Sequence, residues 1–301
     1  MQITPAIQPL YSVDDPVLLQ ADASSWTLLL QVGQDYLSYA IKNHDNTFIN
    51  LKAYQLSADV ASLQPAAETP TGLPATVASS LEFFLEHDGV LRLPFHEVYV
   101  GYDYPPHTLV PVDAYVSEAE NAYFTPLHLL KEEDTIQRDA VEECGAYNLF
   151  AVQTQFLNLL RKEFRKFHLH HISTAFLKSI FKLYPDKRGE QLFICFHQHH
   201  AYLLARRHDQ LLYFHRISFT SETDVLYHVL AVVKHFQMNL SAMRCVLGGE
   251  ITRQSKLYEL LYAYVPIIQW LSRPRPFGYV DAFTHYPGHF FFLNLSLALC
   301  E

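Results

Sequence analysis

Two hydrophobic periods alternate along this chain. Short runs in which apolar residues are continuous or alternate predict strands, and recurrence every three to four residues predicts helices. Residues 26–32 (WTLLLQV) are a continuous apolar run, as in a strand buried on both faces. Gly33-Gln34-Asp35 supplies turn chemistry. Residues 36–41 alternate into a second strand, Asn43-His44-Asp45-Asn46 turns again, and residues 47–56 give a third. Two tight hairpins in succession make an antiparallel meander. Residues 59–74, rich in Pro, Ala and Thr, read as a loop. Val77, Leu81, Phe84 and Leu85 then carry helical spacing, which Asp88-Gly89 ends. Residues 97–101 (EVYVG) are a buried-type strand, and after Tyr104-Pro105-Pro106-His107 residues 108–112 resume one.

The stretch 117–139 is the most polar and predicts a short helix over 125–133 with exposed loops. Residues 139–152 read as one or two strands interrupted near Gly145, and 153–167 as an amphipathic helix with Phe156, Leu157, Leu160 and Phe164 on one face. A short strand at 168–172 leads to Ser173-Thr174, which cap a helix running to Tyr184. The polar turn 185–189 (PDKRG) is the predicted domain boundary. Beyond it come strands at 191–197, 200–206 and 210–217, a helix at 221–239, a strand at 242–247, and Gly248-Gly249-Glu250. This β-β-β-α-β series repeats that of residues 26–101, so the pattern predicts a duplicated unit. A helix over 252–264, a strand over 265–271, a rigid Pro-rich loop over 272–278 and an apolar helix over 288–299 complete the chain. Residues 1–24 predict a loosely attached arm.

Composition narrows the function classes. Half of the 301 residues are hydrophobic and 14% aromatic, enough for a substantial core. The formal net charge is −9, and the basic residues are scattered apart from Arg161-Lys162, Arg165-Lys166 and Arg206-Arg207. That balance argues against nucleic acid as a partner. Cys144, Cys195, Cys245 and Cys300 form no C-x-x-C or zinc spacing, and Cys195 and Cys245, which lie in apolar strand runs, read as buried free thiols, which fits a reducing cytoplasm. No apolar stretch approaches the roughly 20 residues that span a bilayer, so membrane insertion is not expected. With 10 glycines in 301 residues the chain has no G-x-x-x-x-G-K-[ST] and no G-x-G-x-x-G.

The element order resembles the duplicated RNase H-like fold of the actin-like ATPase superfamily. The residues that carry the likeness are the passage 150–184 and the run RCVLGGE at 244–250, which is similar to the superfamily's adenosine motif. More narrowly, the opening meander, the pattern at 97–112, the passage 150–182 and the aromatic C-terminal helix ending in Cys300 resemble an uncharacterised bacterial family, domain of unknown function 3822. The resemblance implies an α/β chain of two lobes, each with a mixed five-stranded sheet and flanking helices. Lobe 1 would span residues 25–185, with an excursion over about 104–147, and lobe 2 residues 190–301. It also implies nucleotide contacts at Gly33, Gly248, Gly249 and Glu250. For the glycine pair, a tight turn with positive φ is the competing explanation.

Members of that superfamily hold magnesium with a D-x-G turn after the first strand of each lobe, because Mg²⁺ takes hard oxygen ligands. Gln31-Val32-Gly33 stands in the first position and Phe196-His197-Gln198 in the second, so neither carboxylate is present. The expectation is therefore a catalytically degenerate actin-like protein that binds another protein as a scaffold or regulatory module. The alternative is a divergent Mg–ATP-dependent ATPase or kinase in which Asp35, Asp103 or Glu250 takes the magnesium role.

Other chemistry is thinner. His168/His170 and His197/His199 would share a strand face and could chelate a metal, but no carboxylate or cysteine completes either set at a recognisable spacing. Cys195 near His197 suggests a thiol nucleophile, yet it sits in the core-like run LFICF. Glu132-Glu133-Asp134 and Glu142-Glu143 read as solvated charge. Arg273-Pro-Arg275-Pro is either an anion or partner contact or a stiff linker.

Overall fold

The computed structural model describes residues 8–14, 22–55, 76–185 and 188–300. The predicted loop at 59–74 and most of the arm lie outside them. The chain packs as two compact units.

Unit 1 comprises residues 1–175, 276–283 and 297–301. Its strands β1 (Tyr11–Asp14), β2 (Thr27–Val32), β3 (Tyr36–Lys42) and β4 (Thr47–Gln55) precede helix α1 (Val77–His87) and strand β5 (Glu97–Tyr102). The α1 helix begins where predicted because Thr76 and Ser79 form a reciprocal capping box, and it buries Val77, Leu81, Phe84 and Leu85. An excursion follows: β6 (His107–Pro111), α2 (Glu120–Phe124), β7 (Asp134–Val141) and β8 (Ala146–Gln153). Its strands form a separate sheet in the order β6-β8-β7 over a small core of Val110, Phe124, Leu149 and Ala151. Helix α3 (Thr154–Glu163), strand β9 (Phe167–His171) and helix α4 (Ile172–Leu183) return the chain to the main sheet and beyond.

That main sheet runs β1-β4-β3-β2-β5-β9, with Gly278–Tyr279 added alongside β4. The expected five strands are its centre, and two edge strands widen it to seven. One of them, β1, belongs to the predicted arm: Tyr11–Asp14 pairs antiparallel with β4, so this part of the arm is sheet. Neighbours β2, β5 and β9 are mutually parallel. Leu28, Leu30, Val98, Val100, Phe84, Phe156 and Leu160 make the core between sheet and helices, each large side chain contributing about 1.5–3 kcal/mol by burial.

Unit 2 comprises residues 176–275 and 284–296. Strands β10 (Glu190–His197), β11 (His200–Arg207) and β12 (Gln210–Ser218) form a meander, followed by α5 (Glu222–His235), β13 (Arg244–Gly249), α6 (Lys256–Tyr264), β14 (Ile268–Trp270) and α7 (Phe292–Ser296). Its five-stranded sheet has the order β12-β11-β10-β13-β14, the same order as β4-β3-β2-β5-β9.

Two expectations shift. The helix placed at 125–133 forms earlier, at Glu120–Phe124, where Phe124 can anchor it in the small core. The helix expected to reach 167 stops at Glu163, because Phe167 opens β9. The compact units divide between Ala175 and Phe176, inside α4, and residues 276–283 fall with unit 1, where Gly278–Tyr279 pairs with β4.

Candidate functional site

Parallel β2 and β5 pair in a register that sets Val32 against Tyr102, so their carboxyl ends stand side by side. Such ends are where α/β sheets bind ligands. Here Gln31 donates from Nε2 to Asp103 Oδ2 at 2.9 Å and to the Tyr36 hydroxyl at 2.9 Å. The Tyr36 hydroxyl in turn donates to the same Asp103 oxygen. Asp103 is only 3% exposed. Gly33 lies under the Tyr36 ring: a β-carbon there would fall 2.2 Å from Tyr36 Cε1. The turn's own polar groups close the hairpin, with the Gly33 amide donating to Tyr36 O at 3.0 Å and Ser80 donating to Gln34 O. Asp35 lies in the turn, partly exposed.

Unit 2 repeats the arrangement with different residues. Parallel β10 and β13 set Phe196 against Gly249, and Glu250 follows directly. Glu250 Oε1 lies 3.2 Å from His197 Nδ1, and its other oxygen accepts from the Gln198 amide at 3.4 Å. Burial pushes the Glu250 carboxyl up, but the His197 hydrogen bond and charge, with the Gln198 amide, hold it below the usual carboxylate range. The His200 ring packs against that of His197, with centroids 5.3 Å apart.

The glycine pair is shaped by packing. Gly249 has φ +79°, and a β-carbon there would fall 1.8 Å from Phe196 O. At Gly248 it would fall 2.3 Å from Leu271 Cδ1. The Gly249 amide donates to His289 O at 2.8 Å, and His289 Nε2 donates to Ile251 O at 2.8 Å, so one histidine holds both sides of the turn. Its ring stacks on Trp270 at 4.3 Å. Nothing in the spacing of the sequence connects His289 with Gly249.

Each unit thus carries a three-residue cluster at this end of its sheet: Gln31, Tyr36 and Asp103 in unit 1, and His197, His200 and Glu250 in unit 2. In both, the carboxylate that follows the fourth strand of the meander-and-crossover pattern bonds a residue near the end of the first: Gln31, one before the last residue of β2, and His197, the last of β10. A magnesium-bound triphosphate needs an open hard-oxygen ligand and bare turn amides. Asp103 already accepts from two buried donors, and the Tyr36 ring covers the turn. As arranged, these residues do not fit that group.

Residues 18–268 match the family described as "Protein of unknown function (DUF3822)". The chain belongs to this DUF3822 family. Among solved structures, it is similar to a Bacteroides thetaiotaomicron VPI-5482 protein with an actin-like ATPase fold and unknown function. The TM-score is 0.69 at 14% identity, covering 88% of this chain and 97% of the other. It is also similar to a chain of the PilM–PilN type IV pilus biogenesis complex, with TM-score 0.61 and 13% identity, covering 91% of this chain and 97% of that one. At these identities the likeness shows the fold, which is that of actin-like ATPases. A comparison with curated proteins finds no match.

The remaining candidates of this DUF3822 chain resolve individually. His168 and His170 do share a strand face, where Tyr99 stacks on them at 4.7 and 6.4 Å. His170 Nδ1 lies 2.9 Å from Asp139 Oδ1, a carboxylate that the sequence spacing does not reveal. His197 and His199 do not share a face, because β10 ends at His197 and Gln198 turns the chain with φ 50°. Among the described residues no group of three or more His, Cys, Asp or Glu is placed to hold a metal ion. Cys195 is fully buried, and burial pushes the Cys245 thiol up to about 12 and the Cys144 thiol, aided by Glu143, to about 11. Those shifts run opposite to the activation of a nucleophile. Arg273 donates to Tyr286 O at 2.7 Å and, with Arg244 and Arg275, borders a pocket of about 230 Å³.

Sequence reading misses one more buried cluster in unit 1. Asp139 Oδ2 accepts from the His171 amide at 2.9 Å and from Thr174 Oγ1 at 2.6 Å. His171 Nε2 faces Tyr104 O at 3.1 Å and so carries the proton, leaving Nδ1 to accept from Ser173 Oγ at 2.6 Å. Asn148 Nδ2 donates to Ser173 and Thr174, each at 2.9 Å. A hydroxyl paired to a neutral imidazole is the start of a nucleophilic dyad. His171 and Ser173 are both fully buried, so the pair instead orders the first turn of α4.

Proposed function

We propose that this chain is a catalytically degenerate actin-like protein that works in the cytoplasm by binding another protein, as a scaffold or regulatory subunit. The carrying observation is the pair of closed strand ends. In unit 1 Tyr36 lies over Gly33 and shares Asp103 with Gln31, and in unit 2 Glu250 is committed to His197. In this reading Gly33, Gly248 and Gly249 are kept for packing, and Glu250 for its partner, so none of the four serves a nucleotide.

Two observations support the protein-binding part. The excursion presents Val112, Val116, Leu127 and Leu129 to solvent, the last 96% exposed. The similar PilM chain is part of a complex with PilN. Among the described residues no helix is long and apolar enough to cross a membrane.

A turnover assay with radiolabelled ATP and Mg²⁺ tests the degenerate reading. The expected result is no phosphate release above that of a protein-free control. Release that exceeds the control, and falls when Asp35, Asp103 or Glu250 is replaced by its amide, supports the divergent ATPase instead.

A further inference from the structure

The parallel strands β2, β5 and β9 all begin at the edge opposite the closed ends. The loops that feed them meet there around a cleft of about 610 Å³. Leu93, Phe95 and the buried Phe164 give it an apolar lining, and Arg92, Arg165 and Lys166 stand exposed around them. Val98 N donates to Lys166 O at 3.2 Å, and His96 N to Trp26 O at 2.9 Å, so rigid sheet holds two of the loops in place.

The charges around the cleft do not cancel. Lys166 pairs with Glu97, and Glu163, the one carboxylate bordering the cleft among the described residues, pairs with Lys162 at 3.0 Å. No carboxylate partner is found for Arg92 or Arg165 among the described residues. This local excess stands on a chain of formal net charge −9. Compensation of the α3 dipole does not explain it. Arg161 and Lys162 already occupy the last turn, and Arg165 lies beyond the extended C-cap Phe164, outside the turn over which a helix dipole acts.

We propose that this cleft is the docking site for an acidic peptide segment of a partner protein. An apolar side chain seats between Leu93, Phe95 and Phe164, and flanking carboxylates meet Arg92 and Arg165. Arginine suits the task because its planar fork takes a carboxylate through two N–H groups. A small inorganic anion would satisfy the arginines and leave the apolar lining uncovered. The proposal rests on the protein-binding reading and adds a contact surface to the exposed apolar residues of the excursion.

The probe is a fluorescein-labelled hexapeptide with leucine flanked by glutamates, compared by anisotropy with its glutamine counterpart. The expected result is saturable binding of the glutamate peptide, weakened about tenfold or more in the counterpart, and similarly in Arg92→Glu/Arg165→Glu. Lys234→Glu, an exposed charge reversal on α5, leaves binding unchanged. Arg92→Gln/Arg165→Gln gives the same loss and serves where reversal disturbs the fold, which circular dichroism monitors. The proposal is overturned by no saturation at millimolar chain, by equal binding of the glutamine peptide, or by survival of binding in both double variants. It is also overturned if equimolar inorganic phosphate displaces the peptide, or if the chain proves to be a dimer that fills the cleft with its own copy. Nucleotide titration tests the underlying reading separately: ATP binding would remove the closed-site account without touching the peptide result.

Discussion

The Tyr36 ring fills the space in front of Gly33, where a β-carbon would lie 2.2 Å from Cε1. Its hydroxyl shares Asp103 with Gln31, so one side chain both covers the turn and donates to the buried carboxylate beside it. Tyr36→Phe keeps the ring and removes the donor. It is expected to destabilise the chain by about 1–3 kcal/mol in urea unfolding. Tyr36→Ala also opens a cavity and is expected to cost about 3–5 kcal/mol. A neutral Tyr36→Phe would show that Asp103 does not depend on this bond.

Gly249 and Gly248 should differ in tolerance. Alanine at Gly249 meets backbone, Phe196 O, from a positive φ, and nothing there can move cheaply. Gly249→Ala is expected to lose about 1–3 kcal/mol from backbone strain alone, with the clash in addition. At Gly248 the obstacle is the far end of the Leu271 side chain, so Gly248→Ala is expected to lose less. Thermal unfolding midpoints, measured with and without nucleotide, check the order. The loss should be the same in both conditions.

Asp139 gathers the His170 ring, the His171 amide and the Thr174 hydroxyl. Removing it strands three donors in a buried site. Asp139→Ala is expected to cost about 3 kcal/mol or more, and Asp139→Asn, which keeps one oxygen, distinctly less. Denaturant midpoints of the two variants give the comparison.

Stability should fall on acidification in two stages. Burial lowers the His128 and His289 imidazoles, outweighing their hydrogen bonds to the His107 and Ile251 carbonyls. Between those lowered values and about 6.5 the unfolded chain binds more protons than the folded one, so stability rises with pH there. The contribution of the neutral rings is full above about 6.5 and is lost as pH falls through their folded values. Glu250 is also held low by His197. Its contribution is present above about 4.3 and is lost as pH falls through its folded value. Urea midpoints should therefore hold from pH 8 to about 6.5, decline below that, and decline again below about 4.3 in a series carried to about pH 3, and His289→Gln should flatten the first stage. An unchanged slope in that variant would contradict the assignment to His289.

The period of the apolar residues was enough to place the strands of both meanders, because each is long, apolar and bounded by turn residues. It did not reveal β1, in whose four residues Tyr11–Asp14 one alone is fully buried, and which pairs with β4. The absence of a carboxylate from both turns was visible directly in Gln31-Val32-Gly33 and Phe196-His197-Gln198. Their closure was not, since Tyr36 reads as an ordinary strand aromatic until the hairpin brings its ring back over Gly33. Asp103 follows a strand and invites a magnesium role from sequence alone. Only the pairing of β2 with β5 shows that Gln31 and Tyr36 already claim it. The hold of His289 on Gly249 joins residues far apart in the chain and leaves no local signal.

Isothermal titration calorimetry of the chain with Mg–ATP tests the closed strand ends most directly. The account predicts no saturable heat at millimolar nucleotide for the wild-type chain. A one-to-one isotherm that Gly249→Trp abolishes would contradict it.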